Sequence, residues 1–436
     1  MSLRRTLLCS LARAELPLVL AVSPALLFPS PLRLVLVAVV PVAWLAHRLT
    51  SGAWLPRTPL DPALWCIAGT VAMSAWVTPD LQFSLGKISG VVLGMLVFWA
   101  SVRWVDSPRR LVAATGVFIL AGGGLSVIGL LGTNWLDKFP VIGSLTALLP
   151  PAIRGVPGAE TGFNPNAVAG CLVLFVPVQI ALLASPEARA GLRTHLRPTW
   201  GRWLGPAQEG LLALTAGTLL LTQSRGALAS LVVGLAVLAA CHGPRGRRVA
   251  VLGAAGTVVL IAAVGPANLA RHTLNQEGSG IVGTLGSRFE LWSRALMALT
   301  DFPFTGVGMN GFRRIVPVLY PTLTIPPGTD VVHAHNHLLQ AALDLGAAGL
   351  VAYLAIWIVI ARLLLEVRRD AGEGLHRSLA VGLAAGLFTH FLFGMTDAIP
   401  LGAKVGVLFW LTLALAVALH GVSRVGAVPR GRSHSL

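Results

Sequence analysis

The sequence predicts an all-α integral membrane protein with about twelve transmembrane helices and one large extracytoplasmic loop. Hydrophobic residues make up 55% of the 436-residue chain, and charged residues make up only 11%. Soluble domains carry about 25% charged residues, so this chain lacks the polar side chains needed to cover a soluble surface of its size. The apolar residues also form long, nearly uncharged runs, which are typical of helices that cross a bilayer.

Twelve apolar runs account for the predicted helices. They lie near 15–30, 32–47, 62–78, 88–102, 111–131, 166–184, 210–223, 226–241, 248–265, 338–364, 376–394 and 401–420. Several are shorter than the roughly 20 residues of a span, so we expect their ends to extend into the flanking residues. The basic segment Met1–Arg13 has no convincing cleavage site, and we interpret it as part of the first helix rather than as a removed signal peptide.

Lysine and arginine are distributed unevenly between the two sides of the predicted membrane domain. With the N-terminus in the cytoplasm, 22 of the 33 basic residues fall on the cytoplasmic side and 11 on the other. Every cytoplasmic segment is then basic, as the positive-inside rule requires, so both termini are expected inside. The net charge of +16 is spread over short loops, which argues against nucleic-acid binding.

The runs divide the chain into three segments. Residues 1–265 would hold transmembrane helices 1–9 with short loops, and residues 338–436 would hold helices 10–12 and a basic cytoplasmic tail. Between them, residues 266–337 form a large outer loop, and long loops with their own structure usually carry function. Within this loop, Ser287–Thr300 places apolar residues on one face and is predicted to be an amphipathic helix.

Two outer arginines are candidates for binding an anion. Arg225 lies between two apolar runs at the outer membrane edge, where it either anchors a helix end or faces a cavity as an anion-binding group. Arg288 opens the amphipathic helix, where it either pairs with Glu290, remains a surface charge or binds an anion. Arginine suits phosphate because its planar guanidinium donates two parallel hydrogen bonds.

Three histidines alternate where the long loop enters a membrane helix, at His333, His335 and His337. On an extended segment they would share one side, whereas a helix that began near His335 would separate them. They could form a metal site, although no carboxylate or cysteine lies beside them in the sequence. They could also be a polar helix start at the membrane interface, or supply one neutral histidine as a general base near pH 7.

Other polar residues lie at outer helix ends. Asn164 and Asn166 come just before a membrane helix, where asparagine can cap the helix. Lys87 lies at an outer helix start, with the same ambiguity between a structural and a binding role. Asp397 and His390 lie near the last outer turn and could be polar residues of the core.

The sequence lacks the signature motifs of several other classes of protein. There is no Walker motif, no dinucleotide-binding glycine pattern and no His-Glu-x-x-His, so neither an ATP-driven pump nor a membrane metalloprotease is indicated. The four cysteines have no metal-ligand spacing. A transporter would show inverted repeats and charged residues at mid-membrane, and we find neither.

Four short motifs resemble those of bacterial O-antigen ligases and of the wider superfamily that includes O-antigen polymerases and O-linked protein oligosaccharyltransferases. The motifs are His335-Asn336 followed by Gly346 and Gly349, Ser224-Arg225-Gly226, Ser287–Trp292, and Gly162–Asn166. Their order, spacing and shared outer placement carry the resemblance, which covers roughly residues 80–420 in architecture. The spacing from Asn336 to Gly346 favours a ligase within the superfamily.

The resemblance implies a GT-C-like glycosyltransferase of the bacterial inner membrane, with its active site facing the periplasm. It implies transfer of a glycan from undecaprenyl pyrophosphate to lipid A–core oligosaccharide, in lipopolysaccharide biosynthesis, by an inverting, metal-independent reaction without a cofactor. The alternatives are an O-antigen polymerase or an O-linked protein oligosaccharyltransferase, which differ in acceptor, and more distantly a polytopic transporter. The expected partners are the lipid-linked glycan, the lipid A–core acceptor and membrane lipid, with no nucleic acid.

The resemblance also suggests roles for the outer residues. His335 would be the general base that takes the proton of the acceptor hydroxyl, with His337 as the alternative base. Arg225 and Arg288 would stabilise the charge that develops on the leaving pyrophosphate, which gives them a role without a metal ligand. The candidate substrate-binding residues are Arg154, Asn164, Asn166, Asn336, His337 and Lys87.

Overall fold

The chain is helical throughout most of the part that the structure describes. The computed structural model describes residues 3–133, 163–194, 201–241, 243–264 and 285–427, together with residues 135, 141 and 144. Within these ranges, extended backbone pairs in one isolated parallel bridge between Thr133 and Phe163. Arg154 lies outside the described residues, as do residues 265–284 of the large outer loop.

Within the described ranges, the N-terminal half contains ten helices. They are α1 Leu3–Arg13, α2 Glu15–Leu27, α3 Pro31–Leu34, α4 Val39–Ser51, α5 Asp61–Val77, α6 Leu81–Trp104, α7 Pro108–Gly132, α8 Pro165–Leu172, α9 Val176–Ala184 and α10 Pro186–Arg193. A 3₁₀ turn, Val35–Ala38, joins α3 to α4. Asp80 caps α6 by accepting a hydrogen bond from the backbone N–H of Phe83, which fixes where this apolar helix begins.

The C-terminal half contains longer helices and the described part of the outer loop. The helices are α11 Leu204–Leu221, α12 Arg225–Cys241, α13 Gly243–Val264, α14 Leu285–Asp301, α15 Phe312–Leu319, α16 His337–Asp370, α17 Leu375–Gly394 and α18 Val407–Ala427. A 3₁₀ turn, Lys404–Gly406, precedes α18. The stretch for which an amphipathic helix is predicted therefore lies within α14.

Helices cover all twelve predicted apolar runs, but not all of these helices are long enough to be counted as spans. Within the described ranges, seven helical segments have the length and hydropathy to cross a membrane, and the pair α1–α2, bent by 52°, would make an eighth. The seven are Leu32–Ser51, Leu81–Trp104, Pro108–Gly132, Pro165–Ala184, His337–Asp370, Leu375–Gly394 and Lys404–Arg424. The regular structure of the described residues is thus helical, as in an integral membrane protein, and the number twelve stays a prediction.

Close helix packing brings distant parts of the chain together. Helix α6 packs between α2 and α18, α16 packs on α5, and α17 packs on α9 and α12. Aromatic side chains fill the core, among them Trp410, Phe98 and Phe118, which are fully buried. Small residues allow the approach, because a Cβ atom at Gly402 would lie 1.8 Å from the carbonyl oxygen of Lys87. The turn before α18 is thereby held against the start of α6.

Helix α16 is broken at Gly346, whose backbone is left-handed at φ 69° and ψ −172°. The loop between α14 and α15 enters this break. The N–H of Val307 donates to the Leu343 carbonyl over 2.7 Å, and the N–H of Ala347 donates to the Pro303 carbonyl over 3.0 Å. A break inside a membrane helix is tolerated where protein groups satisfy the freed backbone, and here the loop does so.

The described part of the outer loop, residues 285–336, has its own small core. Leu291 of α14, Phe312 of α15 and Ile325 are buried together. Glu290 accepts hydrogen bonds from the backbone of Leu323 and Thr324, and it forms an ion pair with an arginine of its own helix. These contacts give α14 a fixed place over the end of the helical bundle where α16 begins.

Candidate functional site

A histidine and an aspartate from separate elements form the centre of the site. The Nδ1 atom of His335 lies 3.0 Å from Oδ1 of Asp397, which follows the end of α17. Burial alone would raise the pKa of Asp397, but the hydrogen bond from His335 and the charges of His333, His335 and Arg288 outweigh burial and lower it to about 2. The carboxylate is therefore ionised at neutral pH, so Nδ1 must be the donor. In the neutral imidazole, a proton on Nδ1 leaves Nε2 as the nitrogen that can accept a proton.

The backbone at His335 adopts an uncommon conformation that aims its ring at Asp397. Its φ is 50°, in the left-handed region that side chains other than glycine seldom occupy. Gln223, two residues before Arg225, has a similar φ of 52°. Such strain persists where the surroundings over-determine the backbone, and it is concentrated at functional sites.

His333 supports the same carboxylate from a second direction. Its Nε2 lies 3.8 Å from Oδ1 of Asp397, and its Nδ1 accepts a hydrogen bond from the backbone N–H of His335 over 3.2 Å. Burial lowers the pKa of His333 to about 3, helped by the neighbouring charge of His335 and opposed by Asp397. His333 is consequently neutral at pH 7, with its proton on Nε2 facing Asp397.

Arg288 brings a largely buried guanidinium to the site from α14. One of its terminal nitrogens lies 4.0 Å from Oδ2 of Asp397, and its side chain is 14% exposed. Its Nε is buried and has no hydrogen-bond partner among the described residues. Glu290 pairs with Arg294 rather than with Arg288. Because a buried donor without a partner costs about 1–3 kcal/mol, the arrangement favours an added anion.

Arg225 is the first residue of α12, and it lies near the site through its neighbour Gly226. A Cβ atom at Gly226 would lie 2.8 Å from Oγ1 of Thr396, the residue that precedes Asp397. The Arg225 side chain is exposed, and within the described residues it makes no ion pair or hydrogen bond. The structure thus brings the start of α12 to the turn that carries Asp397.

Two further predicted residues hold or surround this centre. Asn336 caps α16 by accepting from the N–H groups of Leu338 and Leu339, and its Nδ2 donates to the Met395 carbonyl over 3.2 Å. It therefore ties the His335 segment to the turn that carries Asp397. Lys87 of α6 lies close enough for its charge to act on His333. Asn336 is a structural bridge, and Lys87 adds positive charge.

His337 does not join the other two histidines. Helix α16 begins at His337, so the alternating pattern ends there and its ring turns into the bundle. Its Nδ1 lies 2.8 Å from the Tyr353 hydroxyl, and its ring packs edge-on against Trp357 and Phe391. A Cβ atom at Gly394 would lie 2.7 Å from the His337 ring, so the packing is tight. This environment is that of a core residue joining α16 to α17.

Asn164 and Asn166 lie at the start of α8 and have structural contacts of their own. Asn164 caps α8, its Oδ1 accepting from the N–H of Asn166 over 2.8 Å. Among the described residues, no hydrogen bond or ion pair joins Asn164 or Asn166 to His335 or Asp397. The capping role weighed for Asn164 in the sequence is the one that the geometry supports.

His333, His335 and Asp397 offer ligand atoms that all lie within 4.8 Å of one another, so this group could hold a metal ion. The carboxylate comes from 62 residues away, which is why the sequence around the histidines did not reveal it. Neighbouring charges oppose such a role, since Arg288 lies 4.0 Å from the carboxylate and Lys87 acts on His333. Positive charge at this distance repels a divalent cation and attracts an anion.

Asp397 is a candidate site residue that the sequence pattern did not distinguish from a core aspartate. It was one polar residue near the last outer turn, with no motif around it to distinguish it from a core aspartate. The usable signal was that a buried carboxylate needs a cationic or hydrogen-bonding partner. The resulting His–Asp pair beside unfilled guanidinium donors can remove a proton and stabilise negative charge within one site.

Comparison with known protein families matches part of the chain to a family model. Residues 210–354 match the protein-family model described as O-antigen ligase. The matched segment contains Arg225, Arg288 and His335, whereas Asp397 and Lys87 lie beyond it. No curated protein sequence matches the chain.

Proposed function

We propose that this chain, whose residues 210–354 match the O-antigen ligase family model, is a member of that family and transfers a glycan from undecaprenyl pyrophosphate to lipid A–core oligosaccharide. The observation that carries the proposal is the 3.0 Å contact between His335 and Asp397 beside the guanidinium of Arg288, whose buried Nε has no hydrogen-bond partner among the described residues. It supplies a base and an anion-binding group at one end of the helical bundle, which is the chemistry that transfer from a lipid pyrophosphate requires.

His335 is the proposed general base. As the acceptor hydroxyl oxygen forms its bond to the anomeric carbon, the hydroxyl proton passes to Nε2 of His335. The imidazolium that results is held by the Asp397 carboxylate through Nδ1, as in other histidine–carboxylate pairs. Attack from the face opposite to the leaving group inverts the anomeric configuration. His333, neutral at pH 7, keeps Asp397 in place and does not compete for the proton.

Arg288 and Arg225 are proposed to receive the pyrophosphate. The bond from the anomeric carbon to the phosphate oxygen breaks with its electron pair remaining on the oxygen, so negative charge grows on the leaving group. Arg288 has an unfilled buried donor, and Arg225 is an exposed cation beside the turn that bears Asp397. Lys87 adds charge from α6. Stabilisation of this kind needs no metal ion, and the reaction is proposed to be metal-independent.

We propose twelve transmembrane helices in a GT-C-like arrangement, with both termini in the cytoplasm and the site facing the periplasm of a bacterial inner membrane. The 22 to 11 distribution of basic residues supports this orientation. The donor and acceptor are both lipids with polar head groups, so a site at the end of the bundle would meet both in one leaflet.

The test is in vitro transfer by purified protein with undecaprenyl-pyrophosphate glycan and lipid A–core, in the presence of EDTA. Wild type and His376→Ala, which alters a histidine paired with Ser423 away from the site, should both transfer. His335→Ala should lose transfer. Elongation of the lipid-linked glycan without transfer to lipid A–core would identify a polymerase instead, and full activity of His335→Ala would refute the base assignment.

A further inference from the structure

The turn that carries His335 is held by a buried side chain from the next helix. The backbone N–H of Ala334, between His333 and His335, donates to Oε1 of Gln340 over 2.9 Å, and both residues are buried. This bond lies inside the segment whose left-handed backbone aims His335 at Asp397. Without an acceptor, a buried backbone N–H would be unsatisfied, so Gln340 stabilises this particular conformation of the turn.

Gln340 is in turn oriented by a buried carboxylate one helical turn further along α16. Its Nε2 donates to Oδ1 of Asp344 over 2.8 Å. The same oxygen accepts from the backbone N–H of Asn310 over 3.3 Å. Asn310 belongs to the loop between α14 and α15, and its Nδ2 donates to the Phe83 carbonyl of α6 over 3.1 Å. A continuous series of hydrogen bonds therefore runs from the loop, through Asp344 and Gln340, to the His335 turn.

The loop that donates to Asp344 also carries the helix of Arg288. Loop residues 302–311 follow α14 directly and enter the break in α16 at Gly346. A Cβ atom at Gly346 would lie 1.9 Å from the Phe304 carbonyl oxygen, and the N–H of Met309 donates to Oγ of Ser74 over 2.5 Å. The position of α14, and hence of Arg288, is set by how this loop is seated.

We propose that Gln340 and Asp344 are positioning residues that couple the seating of loop 302–311 to the orientation of His335. The inference rests on the proposed role of His335 as the base. When the loop is seated, Asp344 accepts a hydrogen bond from Asn310 and is thereby placed to orient Gln340, which accepts from Ala334. His335 therefore takes its working orientation when Arg288 is in place. The base and the anion-binding arginine would thus be assembled together.

The experiment compares Gln340→Leu with Asp344→Leu, Asp344→Asn and Gln179→Leu in the full-length protein. Gln179 is a buried membrane glutamine bonded to Thr215 of α11, and it has no contact with the His335 turn. Gln340→Leu and Asp344→Leu should lower kcat for transfer by about 10- to 100-fold with KM unchanged, because misplacing a catalytic group by about 1 Å costs this much. Asp344→Asn keeps an acceptor oxygen and should retain most activity, as should Gln179→Leu.

A second measurement separates positioning from a general loss of structure. Amide hydrogen exchange at Ala334 should become faster in Gln340→Leu, whereas exchange in α5 should stay as in wild type. Faster exchange at Ala334 with wild-type kcat would overturn this inference and leave the proposed function intact. Wild-type exchange at Ala334 would overturn the hydrogen-bond coupling itself. A fully active His335→Ala variant would instead remove the proposed function, and this inference with it.

Discussion

Replacing Asp397 by asparagine removes the charge of the His–Asp pair while keeping its shape. In the wild type, Oδ1 of Asp397 accepts from Nδ1 of His335 over 3.0 Å and from the backbone N–H of Ala398 over 2.8 Å. The Ala398 donor favours the amide rotamer that keeps an oxygen at this position, so Nδ1 of His335 stays the donor and Nε2 stays the proton acceptor. What the variant loses is the charge assistance of the bond.

The size of that loss can be worked out from the two geometries that the amide could adopt. A hydrogen bond to a charged group contributes about 1.5–3 kcal/mol and a neutral one about 0.5–1.5 kcal/mol, so losing the charge alone costs about 1–1.5 kcal/mol, or about 5- to 13-fold in kcat at 1.36 kcal/mol per tenfold change. If the amide flipped, its nitrogen would face Nδ1 and impose the other tautomer, with a loss nearer 10⁴-fold, as seen for the equivalent change in serine proteases. Because the Ala398 N–H opposes the flip, we expect the smaller loss.

The assay is steady-state transfer to lipid A–core by Asp397→Asn, with kcat and KM determined separately. The control is Asp330→Asn, because Asp330 pairs with Arg313 on the exposed face of the outer loop and should be neutral within about twofold. A drop of about 5- to 13-fold in kcat with little change in KM is the expected result. Wild-type kcat in Asp397→Asn would refute the claim that this carboxylate assists the base.

Three further predictions follow from the same geometry. Arg288→Lys should lower kcat/KM for the lipid-linked donor by about 10- to 100-fold, because lysine lacks the planar guanidinium fork, whereas Arg294→Lys should not. The folded-state pKa of His333, about 3, lies below its ordinary 6.5, so the unfolded chain binds an extra proton between these values and stability falls as pH falls below about 6.5. Between about pH 7 and pH 5, the free energy of unfolding of the wild type should therefore fall more steeply than that of His333→Gln, by up to about 1.4 kcal/mol per pH unit. Unfolding measured at a series of pH values gives both slopes, and equal slopes would contradict this prediction. Gly346→Ala should destabilise the fold by about 2 kcal/mol or more, because of its φ of 69° and the Phe304 carbonyl 1.9 Å from the added Cβ. Gly217→Ala, which meets open space in α11, should leave the midpoint of thermal unfolding unchanged or raise it.

The structure also changes how the histidine pattern is understood. Alternation over residues 333 to 337 suggested three equivalent side chains, and it left His335 and His337 as competing bases. The capping by Asn336 ends the extended segment, so His337 takes the first position of α16 and turns into the aromatic core. A local switch from extended to helical backbone, set by one asparagine, separates the two histidines. Periodicity could not place that switch to within a residue.

The partner of Arg288 is also a feature that the sequence alone could not predict. The sequence offered Glu290 as a local partner two residues away, which would have made Arg288 an ordinary surface charge. In the folded loop, Glu290 accepts from the Thr324 backbone over 3.0 Å and pairs with Arg294. Arg288 is left with a weak contact to Asp397 and an unfilled Nε. The difference arises because residues two apart on a helix do not face each other.

Sequence patterns alone were enough to predict a helical membrane protein and to place the candidate arginines and histidines at the ends of helices. Hydropathy and charge are properties of short segments, so they can be read without knowing how the segments pack. Tertiary structure alone placed His335 beside Asp397, seated loop 302–311 in the break at Gly346 and turned the His337 ring into the core. Each depends on contacts between helices that are far apart in the chain, and those contacts follow from the packing of many side chains rather than from any local pattern.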